Sequence, residues 1–212
     1  MDTTELMGVL RAEVNDAVLP YLVSNALLYL YIDDAQKMFC RRTEGIEDGR
    51  QFSLAIMPDV EWYDIDKKIL KIRRVYNAAN GRSLNFTNTE KADSLGVVFD
   101  GKRGPIKTLV AGAEKNALRA YPMPSEVATV KLEVFRLPVT VEAGDEFEID
   151  GQHQLSLLLW AKHKFYGNQD SEVGDPRKAT EYEQRFLAYC AEARKEQERA
   201  RRVVGDVVYG GI

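Results

Sequence analysis

The sequence predicts an α+β fold, a helical bundle formed by both chain ends with an antiparallel β-rich domain inserted between them. Two switches of hydrophobic period carry this expectation. Apolar residues recur at helical spacing over residues 1–50, alternate over 51–150, and return to helical spacing over 151–202. Neither terminal helix pair can bury its apolar stripe alone, so the economical arrangement packs the two ends on each other. The expected domains are thus 1–50 plus 151–202, then 51–150, and a C-terminal tail over 203–212.

Asp2, with Glu5 three positions on, forms a capping pattern for a first helix. Leu6, Met7, Leu10, Val14, Ala17 and Val18 then fall on one face, and Pro20 sets a break just before it. Ser24 caps a second helix whose stripe runs through Leu27, Leu28, Tyr31, Ala35, Met38 and Phe39. Arg41 and Arg42 close it where cations suit the helix dipole.

In the middle, Phe52, Leu54 and Ile56 alternate with polar or small neighbours, as do Val130, Leu132 and Val134. Further strands are expected near Ile69–Tyr76, Gly96–Phe99 and Lys107–Val110, with turns at Asn80-Gly81, Asp100-Gly101, Gly104-Pro105 and Ala111-Gly112. Five or six short strands would make a sheet of ordinary size. Beyond it, Leu155 to Ala161 is apolar nearly all round, so this helix is expected to be the buried one. Gly167 to Gly174 reads as a polar loop, and Asp175-Pro176 starts a last helix as cap and first residue. Ala179, Tyr182, Phe186, Tyr189 and Ala193 give that helix its apolar face as far as Arg202.

Composition bounds the function. Of 212 residues, 45% are hydrophobic and 29% charged, which excludes wholesale disorder. A net charge of −4 gives the chain no overall electrostatic footprint for gripping nucleic acid. Cys40 and Cys190 form no disulfide or metal framework and suit a reducing compartment. The start Met1-Asp2-Thr3-Thr4-Glu5 lacks a signal-peptide pattern, and no apolar run spans a bilayer. Synthesis in the cytoplasm, with no membrane partner, is expected.

No motif supports catalysis, a cofactor or a metal. Gly96 to Lys102 has the spacing of a phosphate-binding loop, but Arg103 replaces the expected Ser or Thr and Gly104-Pro105 forbids a following helix. A hairpin turn between two strands explains these residues better. His153 and His163, ten apart on one helix, would point about 80° apart and form no tight metal pair. The acidic run Asp145 to Asp150 lacks a calcium-loop pattern and reads as a solvated strand end. Asp33 and Asp34, adjacent on a helix, point apart. No Gly-x-Ser-x-Gly elbow is present. Arg194 to Arg202 is a mixed charged run with a basic end, either a solvated helix end or a docking surface for an acidic partner.

Leu19-Pro20, Ser24 and Ala35-Gln36-Lys37-Met38-Phe39 stand out at the start. Phe147-Glu148-Ile149-Asp150, His153, Leu155, Asn168-Gln169-Asp170-Ser171-Glu172 and Phe186 do so at the end. Together these stretches resemble tailed-bacteriophage head-to-tail adaptor (connector) proteins of the tail tubular protein A type. The likeness covers both helical ends, about half of the chain. It implies a non-enzymatic structural subunit of the virion, arranged as a homo-oligomeric ring, usually a dodecamer. The ring would join the portal protein to a tail or nozzle protein and let DNA pass without specific binding. The portal-docking residues it implies are Arg199, Arg201, Arg202, Val203, Val204, Val207, Val208, Tyr209 and Ile212. Their tail is expected to order only in the assembled connector, since ten positions cannot build a core of their own. The alternatives are another neck or tail-completion protein, or a small nucleotide-binding enzyme, which the failed motifs disfavour.

Overall fold

A computed structural model describes residues 1–94, 96–97, 99, 101–168 and 174–201. In chain order its elements begin with helices α1 (Thr3–Glu13) and α2 (Asn25–Thr43). Strands β1 (Ile46–Asp48), β2 (Ser53–Ile56), β3 (Trp62–Asp64), β4 (Ile69–Asn77) and β5 (Ser83–Asn88) follow. Helix α3 (Thr89–Ser94) interrupts them before β6 (Arg103–Gly104), β7 (Thr108–Ala111), β8 (Ala117–Tyr121), β9 (Met123–Pro124) and β10 (Ala128–Arg136). Helices α4 (Gly151–Gln154), α5 (Leu157–Tyr166) and α6 (Pro176–Arg201) end the described chain. The fold is mixed α+β, with a curled, antiparallel-rich sheet and helices at both ends. Contacts divide it into two compact units, Met1–Glu44 with the described part of Pro138–Ile212, and Gly45–Leu137.

In the first unit, Asp2 closes a full capping box with Glu5, its side chain accepting from the Glu5 N–H at 2.8 Å. Helix α1 stops at Glu13, well short of the break expected at Pro20, because Asn15 turns left-handed (φ 58°). The chain then folds back around a buried ion pair between Arg11 and Asp16. Arg11 also donates to the Val23 carbonyl at 2.9 Å, and Asp16 accepts from the Leu22 N–H at 2.7 Å. Val18, expected on the apolar face of α1, therefore lies in a loop and is 81% exposed.

Ser24 caps α2 through its hydroxyl, 3.3 Å from the Leu27 N–H. Leu28, Ile32, Ala35 and Phe39 bury its core face. The helix expected from Leu155 begins only at Leu157, as α5; the short α4 ends at Gln154, and Leu155 between them is half exposed. Leu157, Trp160, Ala161 and Phe165 of α5 are buried. Asp175 caps α6, accepting from the N–H groups of Arg177 and Lys178. Trp160 packs at a tilt on Phe186 of α6, ring centres 5.2 Å apart, while Phe39 of α2 lies 6.5 Å from Tyr189.

In the second unit the sheet order is β1-β10-β4-β5-β7-β8-β3, with β2 also on β10 beside β1. Ten strands stand among the described residues, more than the five or six expected, because many are only two to four residues long. Two pairings are parallel, β5 with β7 and β6 with β9. A parallel β5–β7 pair needs a crossover, and α3 lies in it. Val97 and Phe99, expected in a strand, lie outside any. Tyr63 ties the β2–β3 loop, its hydroxyl donating to the Val60 carbonyl at 2.7 Å and accepting from the Met57 N–H at 3.2 Å. Leu54, Ile56, Ile72, Val75, Leu109, Leu118, Val130 and Leu132 fill the interior of this sheet.

Candidate functional site

The loop with phosphate-binding spacing is no hairpin: α3 precedes it and β6 follows Lys102 directly. A phosphate cradle needs a helix N-terminus after the lysine, and a strand stands there instead. Gly96 and Gly101 are left-handed (φ 69° and 77°). Phe99 lies edge-on to Tyr121 at 5.7 Å with the Arg119 guanidinium 3.6 Å above its ring. Leu95, Val98 and Asp100 fall outside the described residues.

The two histidines stand on separate helices, not on one. His153 of α4 is 4% exposed, its Nδ1 2.8 Å from the Tyr189 hydroxyl and its ring 5.1 Å from Phe39. His163 of α5 places Nδ1 3.0 Å from the Ala179 carbonyl. Both are packing residues that join helices. Among the described residues no three His, Cys, Asp or Glu side chains converge to hold a metal. Cys190 is buried, and burial pushes its thiol up to about 12, against a smaller opposing pull from Arg42. A thiol held protonated at neutral pH is a poor nucleophile.

The dismissed acidic residues turn out to fasten the first unit. Asp33 is buried and accepts from the Gln36 side chain at 3.0 Å, the Lys37 ammonium at 2.5 Å and the Val141 N–H at 3.2 Å. Asp34 takes the Trp160 indole N–H at 2.8 Å and pairs with Lys164 at 3.3 Å. The run from Asp145 is irregular: Glu146 makes an isolated antiparallel bridge to Asp2, Phe147 and Ile149 are buried, and Glu148 accepts from the Val139 N–H at 2.7 Å. An acid within an apolar stripe was the one sequence signal for Asp33 and Asp34.

Three surface features remain as docking candidates. The first is the end of α6. Arg199 is exposed beside a hollow of about 440 Å³ lined also by Tyr189, Glu192 and Lys195. Arg201 pairs with Glu44 at 2.7 Å. Arg202, Val203, Val204, Val207, Val208, Tyr209 and Ile212 lie outside the described residues. The second is the loop before α2, where Val18, Leu19 and Leu22 are all more than half exposed. The third is the N-terminal half of α2. Ala26 to Ile32 is an unbroken apolar run, yet only Leu28 and Ile32 are buried and Leu30 is 63% exposed. A helix apolar all round belongs inside a protein or against a partner.

Among the described residues, the exposed apolar surface of α2 and of the loop before it is the feature that a partner could cover. The model of the family described as SU10 adaptor protein matches residues 1–208. The chain belongs to the SU10 adaptor protein family. No curated protein matches it. Membership makes it an adaptor-type structural protein of the phage virion, one that interacts with other virion proteins. The match spans the β-rich part as well as both helical ends, where the resemblance in sequence covered the ends alone. Among the described residues, no helix of this adaptor is long and apolar enough to cross a membrane.

Proposed function

We propose that the chain is one subunit of a homo-oligomeric ring, a dodecamer of the tail tubular protein A type, seated between the portal and the next tail or nozzle protein. DNA passes through the channel without specific binding or chemical change. Helices from both chain ends form one bundle that carries the β-rich insert. The observation that supports this reading best is the adaptor-family match over residues 1–208. The exposed apolar half of α2 agrees with it, since a subunit that worked alone would leave that face in water.

The C-terminal segment is the portal-docking element in this reading. Arg199, Arg201 and Arg202 form a basic root, and Val203, Val204, Val207, Val208, Tyr209 and Ile212 supply apolar anchors. Ordering ten residues costs roughly 1–2 kcal/mol each in backbone entropy. Burying such side chains returns about 1.5–3 kcal/mol apiece, so six anchors offset the cost only if a partner covers most of them. Deletion of residues 203–212 tests this. The truncated chain should melt at nearly the same temperature as the full chain but fail to attach to portal-bearing capsids. Normal attachment would remove the docking role from this segment.

A further inference from the structure

The exposed half of α2 borders a groove of about 270 Å³, lined by Ala26, Tyr29, Leu30, Val141, Glu142 and Ala143. Much of its lining is apolar, Lys37 holds Asp33 and Thr140 at one side, and the outer rim is acidic. Thr3 ties α1 to this rim, donating from its hydroxyl to the Glu142 carbonyl at 2.6 Å and from its N–H to the Asp145 carbonyl at 3.0 Å. Glu5, Glu142, Asp145 and Glu146 are all exposed there, and residues 138–150 contain five acids and no Lys or Arg.

The opposite pattern stands in the other unit. Lys67-Lys68-Ile69-Leu70-Lys71-Ile72-Arg73-Arg74 has five cations in eight residues and no acid. All five are exposed, and Leu70 among them is 40% exposed. Charge divides between the units in the same sense. Residues 45–137 hold fifteen of the 29 Lys and Arg against twelve of the 33 Asp and Glu, and the rest of the chain holds fourteen against twenty-one.

We propose that the α2 groove of one copy receives the start of β4 from a second copy, with Leu70 entering the apolar floor and Lys67 and Lys68 facing the acidic rim. This rests on the ring reading and gives it a specific contact. An apolar knob with a basic rim matches an apolar hollow with an acidic rim in both shape of chemistry and sign of charge. The two surfaces differ, so the contact is head-to-tail, and such contacts close into rings when the rotation allows, unlike a two-fold pair. Rim charges set encounter rate and register more than strength, while the leucine contact supplies apolar burial. Association should therefore weaken as salt screens the rim.

The test uses the full chain, with self-association followed by sedimentation velocity at low and high ionic strength. One variant carries Glu142→Lys and Glu146→Lys, the other Lys67→Glu and Lys68→Glu; all four side chains are exposed, and thermal melts verify that each variant folds. Each variant alone should self-associate about tenfold more weakly or worse. Mixing the two should restore association, because every contact then again pairs opposite charges. If the wild type gathers only on portal-bearing heads, the same variants and mixture are read there as bound copies per head. A second measurement locates the contact: with Leu30→Cys and Leu70→Cys in one chain, oxidation should link position 30 of one copy to position 70 of another. Assembly indifferent to both reversals, or free of that cross-link, overturns this contact and leaves the ring reading standing. No self-association of the wild type, in solution or on heads, overturns both.

Discussion

Asp48 and Arg136 show how single charges hold the β-rich unit. Both side chains are more than nine-tenths buried, and Asp48 accepts from Arg136 Nε at 2.9 Å and from the N–H groups of Arg50 and Gln51 at 3.0 and 3.1 Å. Burial pushes the Asp48 carboxyl up, but the Arg50, Arg136 and Gln51 hydrogen bonds together hold it below its ordinary value. A depressed carboxyl contributes stability that is present above its unfolded pKa of about 3.9 and lost as pH falls through the lower folded value. Asp48→Asn leaves the Arg136 guanidinium buried without its carboxylate, so it should cost about 3–5 kcal/mol at neutral pH. Urea melts at neutral pH and near pH 3 measure this, and the gap between variant and parent should shrink in acid. An equal gap at both would contradict the pairing. Neither Asp16 nor Asp48 was legible as structural in the sequence, because Asp16 meets Leu22, and Asp48 meets Arg136, only where the chain folds back. The Arg11–Asp16 pair, five residues apart, decides that a loop and not a helix leads to Pro20.

Among the elements, those with local chemistry were the legible ones. Asp2, Ser24 and Asp175-Pro176 announced three helix starts, and α1, α2 and α6 begin there. Buried alternation in Leu54 and Ile56, and in Val130, Leu132 and Val134, marked strands β2 and β10. Helix α3 was not legible: Thr89–Ser94 is too short to show a period, and the parallel β5–β7 pair it serves joins distant residues. The exit of α2 also rests on geometry. Glu44 and Gly45 are both left-handed (φ 84° and 90°), and a Cβ on Gly45 would stand 2.6 Å from the Arg136 carbonyl oxygen. Gly45→Ala should therefore destabilise by more than the roughly 1–2 kcal/mol of left-handed strain alone. Gly81→Ala is the control, left-handed at φ 68° with nothing within 4 Å of its Cβ. Its melting temperature should fall less than that of Gly45→Ala, and an equal fall would show that the carbonyl contact is immaterial.

For the whole molecule, the mixed α+β class followed from the two changes of period, and the adaptor family from residues at the chain ends. The candidate docking surfaces were less legible. The apolar run of α2 reads in sequence as an ordinary core stripe, since period alone cannot tell a face that meets its own chain from one that meets another. Its exposure became visible only once Leu28 and Ile32 were seen to take the buried side. The basic run Lys67–Arg74 was hidden by the net charge of −4, which averages over two units of unlike balance. The proposed place between portal and tail makes one direct demand on the virion. Electron cryomicroscopy of the neck of intact particles should show this chain repeated around the tail axis between portal and tail, with the α2 groove of each copy covered. Particles that lack the chain at the neck, or carry it as an isolated copy away from the axis, would contradict the account.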